Sequence, residues 1–273
     1  MRLCINMKKI LFLGFGNMGQ AIASGLLKEE GVFHIDAVDP YLAEQGAPFK
    51  DVKVYADASE VTLAYNLVVL AVKPQIAAQV YPMLNRLIQE GGAALSIMAG
   101  IPRSQIQTHM SKDRHVVRSM PNTPAAVGLG MSVLVGDDSL SSEVKVLCTT
   151  VLEAVGEVLW TTSEDQMHAV TAVSGSGPAY FFALMDAMTQ AGVSLGLDEA
   201  MARKLACVTA KGAGTLAVNE VEHGKTPLQL KQAVTSKGGT TEAALNVFDK
   251  NQFDRLVQDA LDAAEQRSRE LSI

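Results

Sequence analysis

Apolar residues fall into two patterns along this chain. In the first half they come in short runs, each closed by glycine, proline or an acid, and such runs predict buried strands. The runs are Lys9–Leu13, His34–Val38, Val52–Tyr55, Asn66–Val72, Ala93–Met98, His115–Ser119, Met131–Val135 and Glu157–Trp160. Helical spacing between them predicts helices over Gln20–Glu30 and Ala77–Gln89. Strands alternating with helices imply an α/β, doubly wound parallel sheet of the Rossmann type. After Trp160 the character changes, and no strand pattern remains. Helical patterns rich in Ala, Met and Leu run over Ala179–Ala191, Leu197–Ala217, Thr226–Val234, Thr241–Asp249 and Gln252–Glu270. The expected organisation is therefore a dinucleotide-binding domain over 1–162 and an all-helical domain over 163–273. The helical half carries more apolar surface than a small domain covers by itself, which points to burial against a second copy.

Composition narrows the class. Of 273 residues 48% are hydrophobic and 19% charged, with a net charge of −6, as expected of a compact globular protein. No basic patch of the kind nucleic acid requires is present. No apolar run reaches membrane-spanning length, and Met1 to Asn6 is too short and mixed for a signal peptide. Cys4, Cys148 and Cys207 share no metal spacing and are odd in number, so a reducing, cytoplasmic setting is expected. His34, His109, His115, His168 and His223 show no ligand spacing either, and no metal site is expected.

Two glycine-rich loops carry the candidate chemistry. Gly14-Phe15-Gly16-Asn17-Met18-Gly19 is a GxGxxG loop between a predicted strand and a predicted helix. Its glycines allow the tight turn, the approach of a pyrophosphate and close helix–strand packing. Asp39 ends the second strand, where an acid accepts hydrogen bonds from a ribose 2′-hydroxyl; it also suits the start of an Asp-Pro turn, so the choice between NADH and NADPH stays open. Ala71, Val72, Lys73 and Pro74 leave a later strand at the carboxyl edge and are expected to line the cofactor cleft. In the rigid Met120-Pro121-Asn122-Thr123-Pro124 segment, the Asn122 amide either meets nicotinamide or substrate or closes a turn. Ser174-Gly175-Ser176-Gly177-Pro178 reads as the start of the first long helix of the second half.

The second loop is Thr235-Ser236-Lys237-Gly238-Gly239-Thr240-Thr241-Glu242, which opens a predicted helix. Unpaired N–H groups and the helix dipole favour an anion there, and the threonines add hydroxyls. A dinucleotide loop and a small anion site together suggest an oxidoreductase with a small anionic substrate. An enzyme of the β-hydroxyacid dehydrogenase type places a catalytic lysine on the long helix after a glycine-rich loop. Here that helix, from Ala179 to Met185, has none. An alcohol substrate needs a general base and an imine does not.

AVKPQ at 71–75, MPNTP at 120–124, SGSGPAY at 174–180 and TSKGGTTEAAL at 235–245 follow the order found in pyrroline-5-carboxylate reductases, and the chain resembles that family over essentially its whole length. The resemblance implies reduction of 1-pyrroline-5-carboxylate to L-proline with NADPH or NADH, the last step of proline biosynthesis. It implies a helical domain interleaved in a homodimer, commonly assembled into decamers, with the active site at the dimer interface. It places the substrate carboxylate on Ser236, Gly238, Gly239, Thr240 and Thr241, and gives Thr241 the hydrogen bond to the ring nitrogen. The glycine loop and the strand ends give the candidate cofactor contacts as Gly14, Phe15, Gly16, Asn17, Met18, Asp39, Ala71, Val72, Lys73, Pro74 and Asn122. Lys237 stands where some relatives have proline, and Asp39 where relatives have a polar or basic residue.

Overall fold

A computed structural model describes residues 7–272; the expected N-terminal tail, with Cys4, lies outside them. Packing divides the chain into two compact units. One runs to Gly175 and takes in the stretch from Ala264 onward, and the other is Ser176–Ala263.

The first unit is built on strands β1 (Lys8–Leu13), β2 (Phe33–Val38), β3 (Val52–Tyr55), β4 (Tyr65–Leu70), β5 (Ile88–Ser96), β6 (His115–Met120), β7 (Gly130–Val135) and β8 (Gly156–Trp160). They form one sheet in the order β3-β2-β1-β4-β5-β6-β7-β8. Its helices are α1 (Asn17–Leu26), α2 (Pro40–Gln45), α3 (Ala77–Val80), α4 (Leu84–Leu87), α5 (Arg103–Gln107), α6 (Ser142–Glu153) and α7 (Gln166–Val170). All eight predicted strands are present, seven within two residues of their expected bounds and β5 starting five residues early, at Ile88. Ile10, Leu11, Phe12 and Leu13 are all fully buried because β1 is covered on both faces. Alternate side chains face opposite ways: Ile10 and Phe12 join the core with Ile22 and Leu26 of α1 and Val151 of α6, whereas Leu11 and Leu13 join Tyr81, Leu84 and Ile106.

The structure departs from the sequence reading at several places in this unit. The helix expected over 77–89 is α3, a 3-10 turn at Tyr81–Met83 and α4, because Pro82 cannot donate to an α-helical ladder. Gln89 already belongs to β5. The sheet is mixed rather than wholly parallel, since β6 and β7 pair antiparallel. The connection between them is short and holds the 3-10 turn Thr123–Val127 but no crossover helix, which permits a reversal of direction but not a parallel return. Helices α2, α5, α7 and α6 have no counterpart in the sequence reading, and α6 is the longest of them. Its Val144, Leu147, Cys148, Val151 and Leu152 form a buried face, and Ser141 caps it through Val144 N–H at 3.3 Å. Burial pushes the Cys148 thiol up to about 12.

The packing division falls later than residue 162 because α7 lies on the sheet: Met167 is fully buried beside Val133 and Val135. The chain's end returns to the same unit. Ser268 meets His168 Nδ1 at 3.0 Å, and Arg269 Nη1 donates to Asp165 at 2.5 Å. His168 is thus a structural residue, and burial holds its imidazole below the usual histidine range. Arg118, buried on β6, reaches Glu164 at 3.2 Å, and Glu164 also accepts from the Arg103 N–H at 2.8 Å.

The second unit is helical: α8 (Gly177–Ser194), α9 (Glu199–Glu222), α10 (Pro227–Ala233), α11 (Thr240–Lys250) and most of α12 (Phe253–Glu270). Its apolar residues are largely uncovered within one chain. Phe181, Phe182 and Leu195 are 63%, 59% and 86% exposed. Among the described residues, no helix is long and apolar enough to cross a membrane, and no three His, Cys, Asp or Glu side chains gather as a metal site.

Gly156 gives a test of the sheet's far edge. Its φ is +148°, and a Cβ there would stand 2.0 Å from the Gly130 carbonyl oxygen. Gly156→Ala is expected to cost on the order of 2–4 kcal/mol of stability. A urea midpoint equal to wild type would show that β7 and β8 separate without penalty.

Candidate active site

Strand β1 ends in the glycine loop, and three strand ends are tied together there. Gly14 N–H donates to Val38 O at 2.9 Å, and Ala71 N–H donates to Leu13 O at 2.8 Å. Gly14 has φ +85°, and a Cβ on it would lie 2.8 Å from Ala71 C, Ala71 O and Val72 N. Only glycine meets both demands. Gly16 has a different reason to be glycine. Nothing lies within 4 Å of where its Cβ would stand, so the protein itself leaves that space open. Gly16 also caps α1, which has no side-chain cap and no acid in its first turn. Uncapped N–H groups facing open space suit a diphosphate. Gln20 Nε2 donates to Phe15 O at 2.8 Å and fixes the loop from the helix side.

The loop lines a cavity of about 580 Å³. Of the expected cofactor residues, the structure brings Gly14, Phe15, Gly16, Asp39, Ala71, Val72 and Lys73 to its wall. Asn17 and Met18 instead form the first turn of α1, and Pro74 begins the 3-10 turn Pro74–Ile76. The wall also contains Asp57, Ala58, Ile76, Val80 and Met83, which sequence reasoning missed. Asp57 follows β3 at the same edge of the sheet where Asp39 follows β2, a relation that the pairing of β3 with β2 creates.

Asp39 does two structural tasks at once. Its Oδ2 accepts from Phe15 N–H at 3.0 Å, and its Oδ1 caps α2 through Leu42 N–H at 3.1 Å. Asp57 accepts from Ser59 N–H at 2.7 Å, and hydrogen bonds from Ser59 hold its carboxyl below the usual range. Asn122 makes internal hydrogen bonds through both ends of its amide. Its Oδ1 accepts from Met131 N–H at 2.8 Å, and its Nδ2 donates to Ser174 O at 3.2 Å and Ser174 Oγ at 3.3 Å. The amide closes the β6–β7 connection against the segment before α8. The SGSGP segment opens α8 as expected, with Pro178 in its first turn; the π-helical turn Thr171–Gly175 precedes it, and Ser176, at the N-cap position, makes no side-chain capping bond.

In the helical unit the second loop turns at Gly238, with φ +74°, into α11. Gly239 is the N-cap, and a Cβ on it would strike Ser236 Oγ at 2.5 Å. Gly239 N–H donates to Ser236 O at 3.0 Å, and Gly238 N–H donates to Glu242 Oε2 at 2.7 Å. Two donors that the sequence assigned to the anion, or to its surroundings, are thereby spent. The N–H groups of Thr240, Thr241 and Glu242 have no partner among the described residues. Glu242's contact with Gly238 was not read from the sequence, although an acid three residues beyond an N-cap is a known signature.

Comparison with known proteins settles the kinship. Residues 164–271 match the region described as pyrroline-5-carboxylate reductase dimerisation, and 9–100 match the family described as NADP oxidoreductase coenzyme F420-dependent. A pyrroline-5-carboxylate reductase of Pseudomonas aeruginosa is 43% identical over 97% of each chain. The chain belongs to the pyrroline-5-carboxylate reductase family. A solved family structure from Coxiella burnetii has a TM-score of 0.87 at 34% identity, covering 98% of this chain and 100% of that one. The Plasmodium falciparum enzyme, solved with NADP bound, has a TM-score of 0.82 at 26% identity over 97% of this chain and 98% of that one. Family membership gives the Rossmann-type unit its NAD(P)H and the helical unit its role in oligomer formation.

Gly16→Ala separates binding from folding. The chain has room for the methyl, so its thermal midpoint should stay at the wild-type value. NAD(P)H affinity should fall about tenfold or more, the scale of roughly 1.4 kcal/mol. Unchanged affinity in a titration of nucleotide fluorescence would show that no diphosphate approaches Gly16.

Proposed function

We propose that this protein reduces 1-pyrroline-5-carboxylate to L-proline, using a nicotinamide dinucleotide held in the cavity beside Gly14 and Gly16. The observation that carries the reading is the uncapped start of α11 in a family member that also has a dinucleotide cavity. The N–H groups of Thr240 and Thr241 are free to hold a carboxylate, and Ser236 stands beside them. When bound, the reduced nicotinamide supplies hydride to the imine carbon.

The chain's own contribution is orientation and electrostatics. Holding the carboxylate at the α11 N-terminus fixes the ring, and such alignment lowers a barrier by up to about 7–11 kcal/mol. Thr241 Oγ1 donates a hydrogen bond to the ring nitrogen. A threonine hydroxyl is a weak acid, so water is the ultimate proton source. The wall residues Phe15, Asp39, Ala71, Val72 and Lys73, with Asn17, Met18 and Pro74 next to them in sequence, hold the dinucleotide in this reading.

The same reading gives residues 1–162 to the cofactor and 163–273 to substrate binding and dimerisation. It takes the working form as a cytoplasmic homodimer, with decamers as the larger assembly. The exposed Phe181, Phe182 and Leu195 support close association between chains.

Thr241→Ala is expected to lower kcat on the order of tenfold to a hundredfold, since one aligned donor is lost, while the KM for the dinucleotide is unchanged. Thr241→Ser keeps the hydroxyl and should keep most activity. The assay is dinucleotide oxidation with pyrroline-5-carboxylate. Near-normal turnover in Thr241→Ala removes Thr241 from the mechanism, and no oxidation by wild type with either dinucleotide overturns the function.

A further inference from the structure

Two carboxylates, Asp39 and Asp57, line the dinucleotide cavity from the ends of neighbouring strands. Those ends are joined, because Asp39 N–H donates to Tyr55 O at 3.0 Å. Neither acid can swing aside freely. Asp39 would give up its bonds from Phe15 N–H and Leu42 N–H, and Asp57 its bond from Ser59 N–H. The N-terminus of α2, the nearest helix dipole, is already filled by the Asp39 carboxylate itself.

Among the described residues, no Lys or Arg forms an ion pair with either carboxylate. The lysine on the cavity wall, Lys73, follows β4, and β1 lies between β4 and β2 in the sheet. Lys53 lies over the Tyr55 ring, 4.3 Å from its centroid. Lys50 sits ahead of β3, at the amino end of that strand rather than at the cavity edge.

In a Rossmann fold the adenosine ribose lies at the end of the second strand. A 2′-hydroxyl is a donor that a carboxylate accepts. A 2′-phosphate brings a charge of about −1.5 to −2 and needs Arg or Lys partners. We infer that Asp39 and Asp57 together make this enzyme select NADH against NADPH, Asp39 by accepting from the ribose hydroxyl and Asp57 by adding a second fixed negative charge beside it. The inference rests on the cavity holding a dinucleotide and is independent of the imine substrate.

The test is a titration of the full-length wild-type protein with NADH and with NADPH, without substrate, followed by nucleotide fluorescence. NADH should bind about tenfold more tightly or better at low salt, and the gap should narrow as ionic strength rises. Asp57→Asn keeps an acceptor for Ser59 N–H and removes only charge; it should tighten NADPH several-fold and leave NADH nearly unchanged. Asp39→Ser combined with Asp57→Asn should bring the two affinities close together. Wild-type protein that binds NADPH as tightly as NADH overturns the inference while leaving the cavity as a cofactor site. So does an NADH preference that survives both neutral variants and high salt. Binding of neither dinucleotide sinks the cavity reading and the inference with it.

Discussion

The contact between two stretches of backbone, at Gly14 and at Ala71–Val72, is the constraint from which the rest of the first unit follows. A single methyl group on Gly14 would lie 2.8 Å from three backbone atoms. The contact exists because β1 stands between β2 and β4, with the chain building outward to β3 on one side and to β8 on the other. A doubly wound sheet opens its crevice at this reversal of strand order. Hydrogen bonds from Gly14 to β2 and from Ala71 to β1 lock the crevice walls without any side chain. The cavity is therefore a property of strand order and of one glycine. The side chains added to it, chiefly Asp39, Asp57 and Lys73, set its charge.

The sequence revealed what depends on local pattern. Buried strands such as β4 are continuous apolar runs, and a run of that kind has no other stable reading once glycine and proline close it. The glycine loop, the Ala71–Lys73 edge and the GGTT loop were found because backbone chemistry restricts which residues can stand there. What escaped notice depends on partners distant in sequence. Asn122 carries a polar amide in a rigid loop, and its internal bonds to Met131 and Ser174 join residues far apart in sequence. The reversed direction of β7 follows from a connection too short for a crossover, and the period of the strand itself does not encode it. Helix α6 carries a clear buried face, but its β-branched Val and Thr residues weaken its helical propensity. Asp57 was missed because an acid after a short edge strand looks like an ordinary turn until β3 is placed beside β2.

In the helical unit the hydrophobic pattern has a different meaning. A helix that buries one face against its own domain shows a single apolar stripe. Helix α8 presents Phe181, Phe182, Leu184, Met188 and Val193 to solvent within one chain, while Gly177 and Thr189 are buried. Apolar residues on more than one side of such a helix need covering from more than one direction. The match of this region to the family's dimerisation region fits that need for cover.

The start of α11 shows how reactivity is left to backbone geometry. Glu242 and Ser236 take the N–H groups of Gly238 and Gly239, and these bonds hold the turn into the helix in one conformation. The next donors, on Thr240, Thr241 and Glu242, have no acceptor among the described residues. Leaving donors unpaired is cheap where solvent reaches them and costly where it does not. An anion that displaces that solvent would gain charge-assisted hydrogen bonds already aligned, with no loop ordering left to do. An imine acid suits such a site, because its carboxylate can be anchored while its nitrogen needs only a hydrogen bond. An alcohol at the same place would require a base to accept its proton, and the α8 sequence from Ala179 to Met185 offers no lysine for that task.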